Sequence, residues 1–104
     1  MRGLAAPQIG LTNERGSVDR GSCDNFLFPG PPEYLTLAFT LYNSGDADGL
    51  ATVQFLLDGA AVLGASGRYF VASHGTLDES LTATLNDCAG PHEFGAHITL
   101  VTKA

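Results

Sequence analysis

Tryptophan is absent, lysine occurs once, at Lys103, and no long apolar run interrupts the chain. A membrane-crossing helix needs about 18 or more consecutive apolar residues, and a secretion leader an apolar stretch of about 7–15. Met1-Arg2-Gly3-Leu4-Ala5-Ala6-Pro7 opens like a leader, but Pro7 ends the run and polar residues follow, so neither a leader nor a spanning segment is expected. Five Lys and Arg stand against eleven Asp and Glu, a formal net charge of −6. With no basic stripe, nucleic acid and membrane insertion are not expected, because both phosphate backbones and anionic lipid repel such a surface. Charged residues make up only 15% and hydrophobic residues 44%, which excludes disorder for most of the chain. What is abundant is turn formers: thirteen Gly and five Pro in 104 residues, one domain's length, point to short strands joined by many turns.

From Tyr34 onward the hydrophobic period is two. Leu35, Leu37, Phe39 and Leu41 fall on one face, and Tyr34, Thr36, Ala38, Thr40 and Tyr42 on the other, the pattern of a half-buried strand. Residues 43–49, Asn-Ser-Gly-Asp-Ala-Asp-Gly, form a turn because Asn, Asp and Gly tolerate positive φ. Residues 51–57 point Val53, Phe55 and Leu57 inward, and Asp58-Gly59 is a favoured two-residue hairpin. Short strands are expected at 60–63 and 68–72. Residues 79–86 put Leu81, Ala83 and Leu85 inside, and residues 94–101 bury Phe94, Ala96, Ile98 and Leu100. The alternation predicts an all-β, antiparallel immunoglobulin-like sandwich of about seven short strands, preceded by an irregular N-terminal arm.

The first third lacks this order. Residues 1–33 are read as an N-terminal arm, or as a first edge strand plus a loop, ahead of a core at 34–104. The arm reading has residues 3–33 ordering against a neighbouring subunit, with Phe26-Leu27-Phe28 covering the end of the core. Cys23 and Cys88 either bridge, which the loop-entropy argument values at about 4 kcal/mol, or remain two buried thiols.

The segments 35–45 (Leu-Thr-Leu-Ala-Phe-Thr-Leu-Tyr-Asn-Ser-Gly) and 51–59 (Ala-Thr-Val-Gln-Phe-Leu-Leu-Asp-Gly) resemble CARDB, the cell-adhesion-related domain of bacteria and archaea. Residues 79–85 and 90–101 look like that family's later Thr/Ser-rich and Pro/Gly-led strands. The resemblance spans about residues 34–101 and departs in the missing Trp, the two cysteines and the first third. It implies a non-catalytic sandwich used in surface proteins and extracellular assemblies, and it carries over no catalytic residue.

Candidate chemistry is sparse. Cys88, His92 and His97 with Cys23 offer zinc donors, but five residues along a strand set His92 and His97 on opposite faces. Asp46-Ala47-Asp48-Gly49 echoes a calcium loop, yet Phe55 stands where the bidentate Glu belongs, and Asp24 or Asp87 would have to help. Ser73-His74 are adjacent rather than converging, and residues 64–67 lack a phosphate-binding Lys. No catalytic residue, metal or cofactor is assigned. The outward aromatics Tyr34 and Tyr42, with Tyr69 beside Phe70, suit protein contact or sugar stacking. The functional expectation is a non-enzymatic structural or interaction module within a larger assembly, on a virus particle as a decoration protein or at a cell surface as an adhesion or layer domain. Its contacts are expected through Ile9, Leu11, Asn13, Arg15, Arg20, Tyr34 and Tyr42. A carbohydrate- or calcium-binding accessory domain is the alternative.

Overall fold

Alternating apolar residues can satisfy both a core and water only as strands, each burying one face. The computed structural model describes residues 5–24, 27, 30, 32–85, 88 and 92–104, the side chains of Ser22 and Asp24 excepted. It holds β1 (Ile9–Asp19), β2 (Glu33–Asn43), β3 (Gly49–Leu57), β4 (Ala60–Val71), β5 (Thr76–Leu85) and β6 (Phe94–Lys103). The 3-10 turn Gly21–Asp24 is the one helical piece among the described residues, and none of these carries a helix long and apolar enough to cross a membrane. The strands make two antiparallel three-stranded sheets, ordered β1-β2-β5 and β4-β3-β6.

The sheets share one apolar layer. Leu35, Leu37, Phe39, Leu41, Leu81 and Ala83 come from the β2-centred sheet, and Ala51, Val53, Phe55, Ala65 and Val71 from the β3-centred one. Phe39 meets Tyr69 edge-on at 5.8 Å and Phe55 meets Phe94 at 6.2 Å between ring centroids, the geometry that aromatic quadrupoles favour. Leu57, Leu85, Phe94 and Ile98 are partly buried against this layer. The molecule measures 68 × 19 × 18 Å, with a radius of gyration of 16.8 Å, against about 13 Å for a compact chain of this length.

Three bulges account for the departures from strict alternation. In β1, Thr12 faces Thr40 but Arg15 faces Ala38, so one extra residue enters where Asn13 takes φ 58°. Inward parity therefore passes from Ile9 and Leu11 to Gly16 and Val18, and the stretch that looks aperiodic is an eleven-residue edge strand over Ile9–Asp19 rather than an irregular arm. In β4, Gln54 faces Ser66 and Leu56 faces Ala61, which leaves three extra residues around Gly64. The two strands expected at 60–63 and 68–72 are thus one bent strand, which gives six strands among the described residues instead of about seven. The Gln54 amide holds this bend by donating to the carbonyls of Val62 (2.7 Å) and Ala65 (3.2 Å). In β6, Thr52 faces Leu100 while Val53 faces Ile98, so Thr99 is extra. Leu100, expected in the core, turns outward and is 55% exposed. Tyr69 is corrected too: it points inward onto Phe39, and its neighbour Phe70 faces out.

Asn43 closes β2 in a buried position. Its Nδ2 donates to Ala47 O (2.8 Å) and Val71 O (3.1 Å), while Oδ1 accepts from Gly45 N (2.9 Å) and Gln8 N (3.1 Å). At this same pole Ser44 N donates to Gln8 O and Ala104 N to Asp48 O. Asp58 and Gly59, at φ 51° and 84°, make the expected hairpin turn at the opposite pole. The cover by Phe26 and Phe28 and most of the turn at 86–91 lie outside the described residues; Leu27 is exposed.

Candidate interaction surfaces

The outer face of the β2-centred sheet is a hydroxyl field. Residues directly opposite one another share a face, and the register aligns Thr12, Ser17, Thr36, Thr40, Thr76, Ser80, Thr82 and Thr84 there, with Arg15 and Asp78 among them. Thr40 Oγ1 donates to Asp78 Oδ1 at 2.6 Å. Tyr34 and Tyr42 stand on this face eight positions apart, about 27 Å along an extended strand, too far to stack on one small sugar. Each covers a glycine: the Tyr42 ring lies where a side chain on Gly10 would sit, and the Tyr34 ring comes within 3.3 Å of that place at Gly21.

The remaining expected contact residues scatter. Ile9 and Leu11 pack against the chain's own core, while Asn13 and Arg15 are exposed at the β1 bulge. Arg20 belongs to an ionic junction that reading by alternation left out. Its guanidinium lies 3.1 Å from Glu33 Oε2, and Glu33 is 1% exposed. His92 Nε2 stands 3.4 Å from Glu33 Oε1, and its Nδ1 lies 3.0 Å from Asp58 Oδ2. Glu93 N donates to Asp58 Oδ1 at 2.8 Å, and this bond, followed by that to His92, holds the Asp58 carboxyl below its usual range. Glu33 opens β2 and Arg20 follows β1, while Asp58 follows β3 and His92 lies two residues before β6, so the junction ties the ends of the two sheets at the hairpin pole. Parity was the available signal: Glu33 shares the inward register of Leu35. Close by in sequence, Cys23 and Cys88 are bridged, with Cα atoms 5.6 Å apart. Both sulfurs are therefore consumed, and the shared zinc set falls away as a reading of this oxidised state.

At the other pole the residues of the calcium echo and of Ser73-His74 are engaged with one another. Asp48 Oδ1 accepts from Ser73 N (2.8 Å), Ser73 Oγ donates to Gly45 O (2.6 Å), and His74 Nε2 lies 3.2 Å from Asp46 Oδ1. No group of metal-binding side chains occurs among the described residues.

The β3-centred sheet offers a different outer surface. Leu50 faces Phe70 on β4 and Thr102 on β6, and the next row sets Thr52 between Arg68 and Leu100. Phe70, 53% exposed, and Leu100 therefore flank the half-buried Leu50 in an apolar diagonal. Leu63, at the β4 bend, is 97% exposed. None of the eleven Asp and Glu residues lies in β3, β4 or β6; the charged side chains of this sheet are Arg68 and Lys103. An exposed apolar surface free of like charge suits contact with another protein surface. No protein-family model, no curated protein and no solved structure matches the chain.

Proposed function

We propose that the chain is a non-catalytic interaction module with an immunoglobulin-like sandwich fold, working within a larger assembly. The strand orders β1-β2-β5 and β4-β3-β6 correspond to the A-B-E and C′-C-F strands of that fold, in keeping with the CARDB resemblance. The observation that carries the functional reading is the carboxylate-free outer face of the β3-centred sheet, with Phe70 and Leu100 displayed to solvent in a chain of net charge −6. A surface that served only solubility would carry charge there. The Cys23–Cys88 bridge supports an oxidising setting such as a cell surface or the outside of a virus particle. Neighbouring proteins of the assembly are the partners.

Photo-crosslinking in the cells or particles that carry the protein tests this. A benzophenone amino acid at position 70 or 100 is expected to give higher-mass adducts, and one at position 36, on the hydroxyl face, is not. Adducts from position 36 alone, or from none of the three, overturn the proposal.

A further inference from the structure

Four strands bound the two sheets, and three of them carry charged side chains within their length as devices that discourage a newcomer. β1 has its bulge together with Glu14, Arg15 and Asp19; β5 has Asp78 and Glu79; β4 has its three-residue bend and Arg68. Charges and bulges at edges are how sheet proteins avoid unwanted strand pairing. β6 differs in that its one charged side chain, Lys103, stands at its last position. From Phe94 to Thr102 it contains no Asp, Glu, Lys, Arg or Pro, and its Thr99 bulge bends the strand without adding charge. Glu14 Oε2 accepts from Ala96 N at 3.3 Å and so caps the first part of the edge. Beyond that cap lies an uncharged run with Leu100 and Val101 exposed.

We infer that β6 is a self-pairing edge: two copies of this chain join β6 to β6 in antiparallel fashion, fusing their β3-centred sheets into one continuous six-stranded sheet. The inference rests on the interaction-module reading and names its first partner. Charge selects the occupant. Copies of a chain with net charge −6 repel through most of their surfaces, and the β3-centred sheet is the part that holds none of the eleven carboxylates. A two-fold contact uses the same patch on both subunits, so Leu100 meets an equally apolar surface. Main-chain hydrogen bonds across the new strand pair supply what the edge lacks.

Sedimentation equilibrium of the purified, oxidised chain across the micromolar to millimolar range is the test. The mass should climb from 10.8 kDa to twice that value as concentration rises. Leu100→Lys should hold the chain at the monomer mass, and Thr36→Lys on the opposite sheet should leave the climb unchanged. Hydrogen exchange of the unsubstituted chain is the second measurement, independent of any variant's folding. The β6 amides should gain protection with concentration, while those of β1 and β5 do not. A chain that stays monomeric throughout, a dimer untouched by Leu100→Lys, or concentration-dependent protection confined to β1 or β5 overturns the inference. A monomer that still crosslinks through positions 70 and 100 in its native setting sinks self-pairing alone and leaves the module reading standing, with a different protein as the occupant.

Discussion

Ile98 and Leu100 are two residues apart in one strand, and strict alternation assigns them the same face. The Thr99 bulge separates them: Ile98 lies partly buried opposite Val53, and Leu100 lies outward opposite Thr52. Fully burying such a side chain is worth about 1.5–3 kcal/mol, and truncating one in a core costs about 2–5 kcal/mol once the cavity is included. Ile98 is not fully enclosed, so Ile98→Ala should cost about 2 kcal/mol. Leu100, 55% exposed, leaves little surface to lose, and Leu100→Ala should cost about 0.5 kcal/mol or less. For a domain of this size each kcal/mol shifts Tm by about 4–8 °C, so the two variants should melt about 6–12 °C apart. Urea unfolding at a concentration where the chain is monomeric reads the same difference as a shift in midpoint at constant slope. Equal destabilisation of the two variants would show that β6 runs through residue 99 without a bulge, and the outward placement of Leu100 would fall with it.

Removing the Cys23–Cys88 link by Cys23→Ala with Cys88→Ala should cost about 4 kcal/mol through the long loop it closes, and calorimetry under matched conditions would register a large fall in Tm; a fall of only a degree or two refutes this. A methyl group on Gly16 collides with the Phe94 ring, which lies over that glycine from the other sheet. Gly16→Ala should therefore destabilise by about 1–3 kcal/mol, whereas Gly30→Ala, with open space around it, serves as the near-neutral control. The Asp58 carboxyl is held below its ordinary value of 3.8, chiefly by the Glu93 amide and then by His92. Its contribution is complete above that ordinary value and disappears as pH falls through the depressed one. Asp58→Asn should accordingly flatten the dependence of stability on pH below about 4, and an unchanged acid limb would show that Asp58 is not linked to folding.

Alternation was enough to read the uninterrupted strands. In β2, Leu35 through Leu41 occupy the inward register read from their spacing, Asn43 ends the strand as its turn chemistry implies, and Asp58-Gly59 reverses the chain as expected. The failures share one cause. An inserted residue reverses parity without changing composition; Asn13 and Gly64, both at positive φ, are of the types that permit a bulge without fixing where one falls, and Thr99 carries no such sign. Hence β1 reads as aperiodic, β4 as two strands, and Leu100 as core. The ionic junction was half legible: Glu33 has the right parity, but its meeting with Arg20 and His92, and through His92 with Asp58, depends on loops closing at one pole, which no local pattern encodes. The apolar diagonal of Leu50, Phe70 and Leu100 depends on cross-strand register and on the Thr99 bulge together.

An even number of antiparallel strands brings a chain back to the pole where it set out. Gln8, just before β1, and Ala104, just after β6, both bond to the loop between β2 and β3, so the two strand-bearing ends lie side by side while the disulfide and the ionic junction sit at the far end of a 68 Å body. Such a unit is wired like a plug, with both leads at one face. Spliced into an exposed turn of a host protein, it would stand out from that turn with its bridged tip outermost and leave the host's own path nearly undisturbed. Threaded end to end with copies of itself, it would have to double back along its whole length at every junction. A short peptide joining residue 104 to residue 8 would close the ring, and new ends cut at the Asp58-Gly59 turn would emerge from the opposite pole.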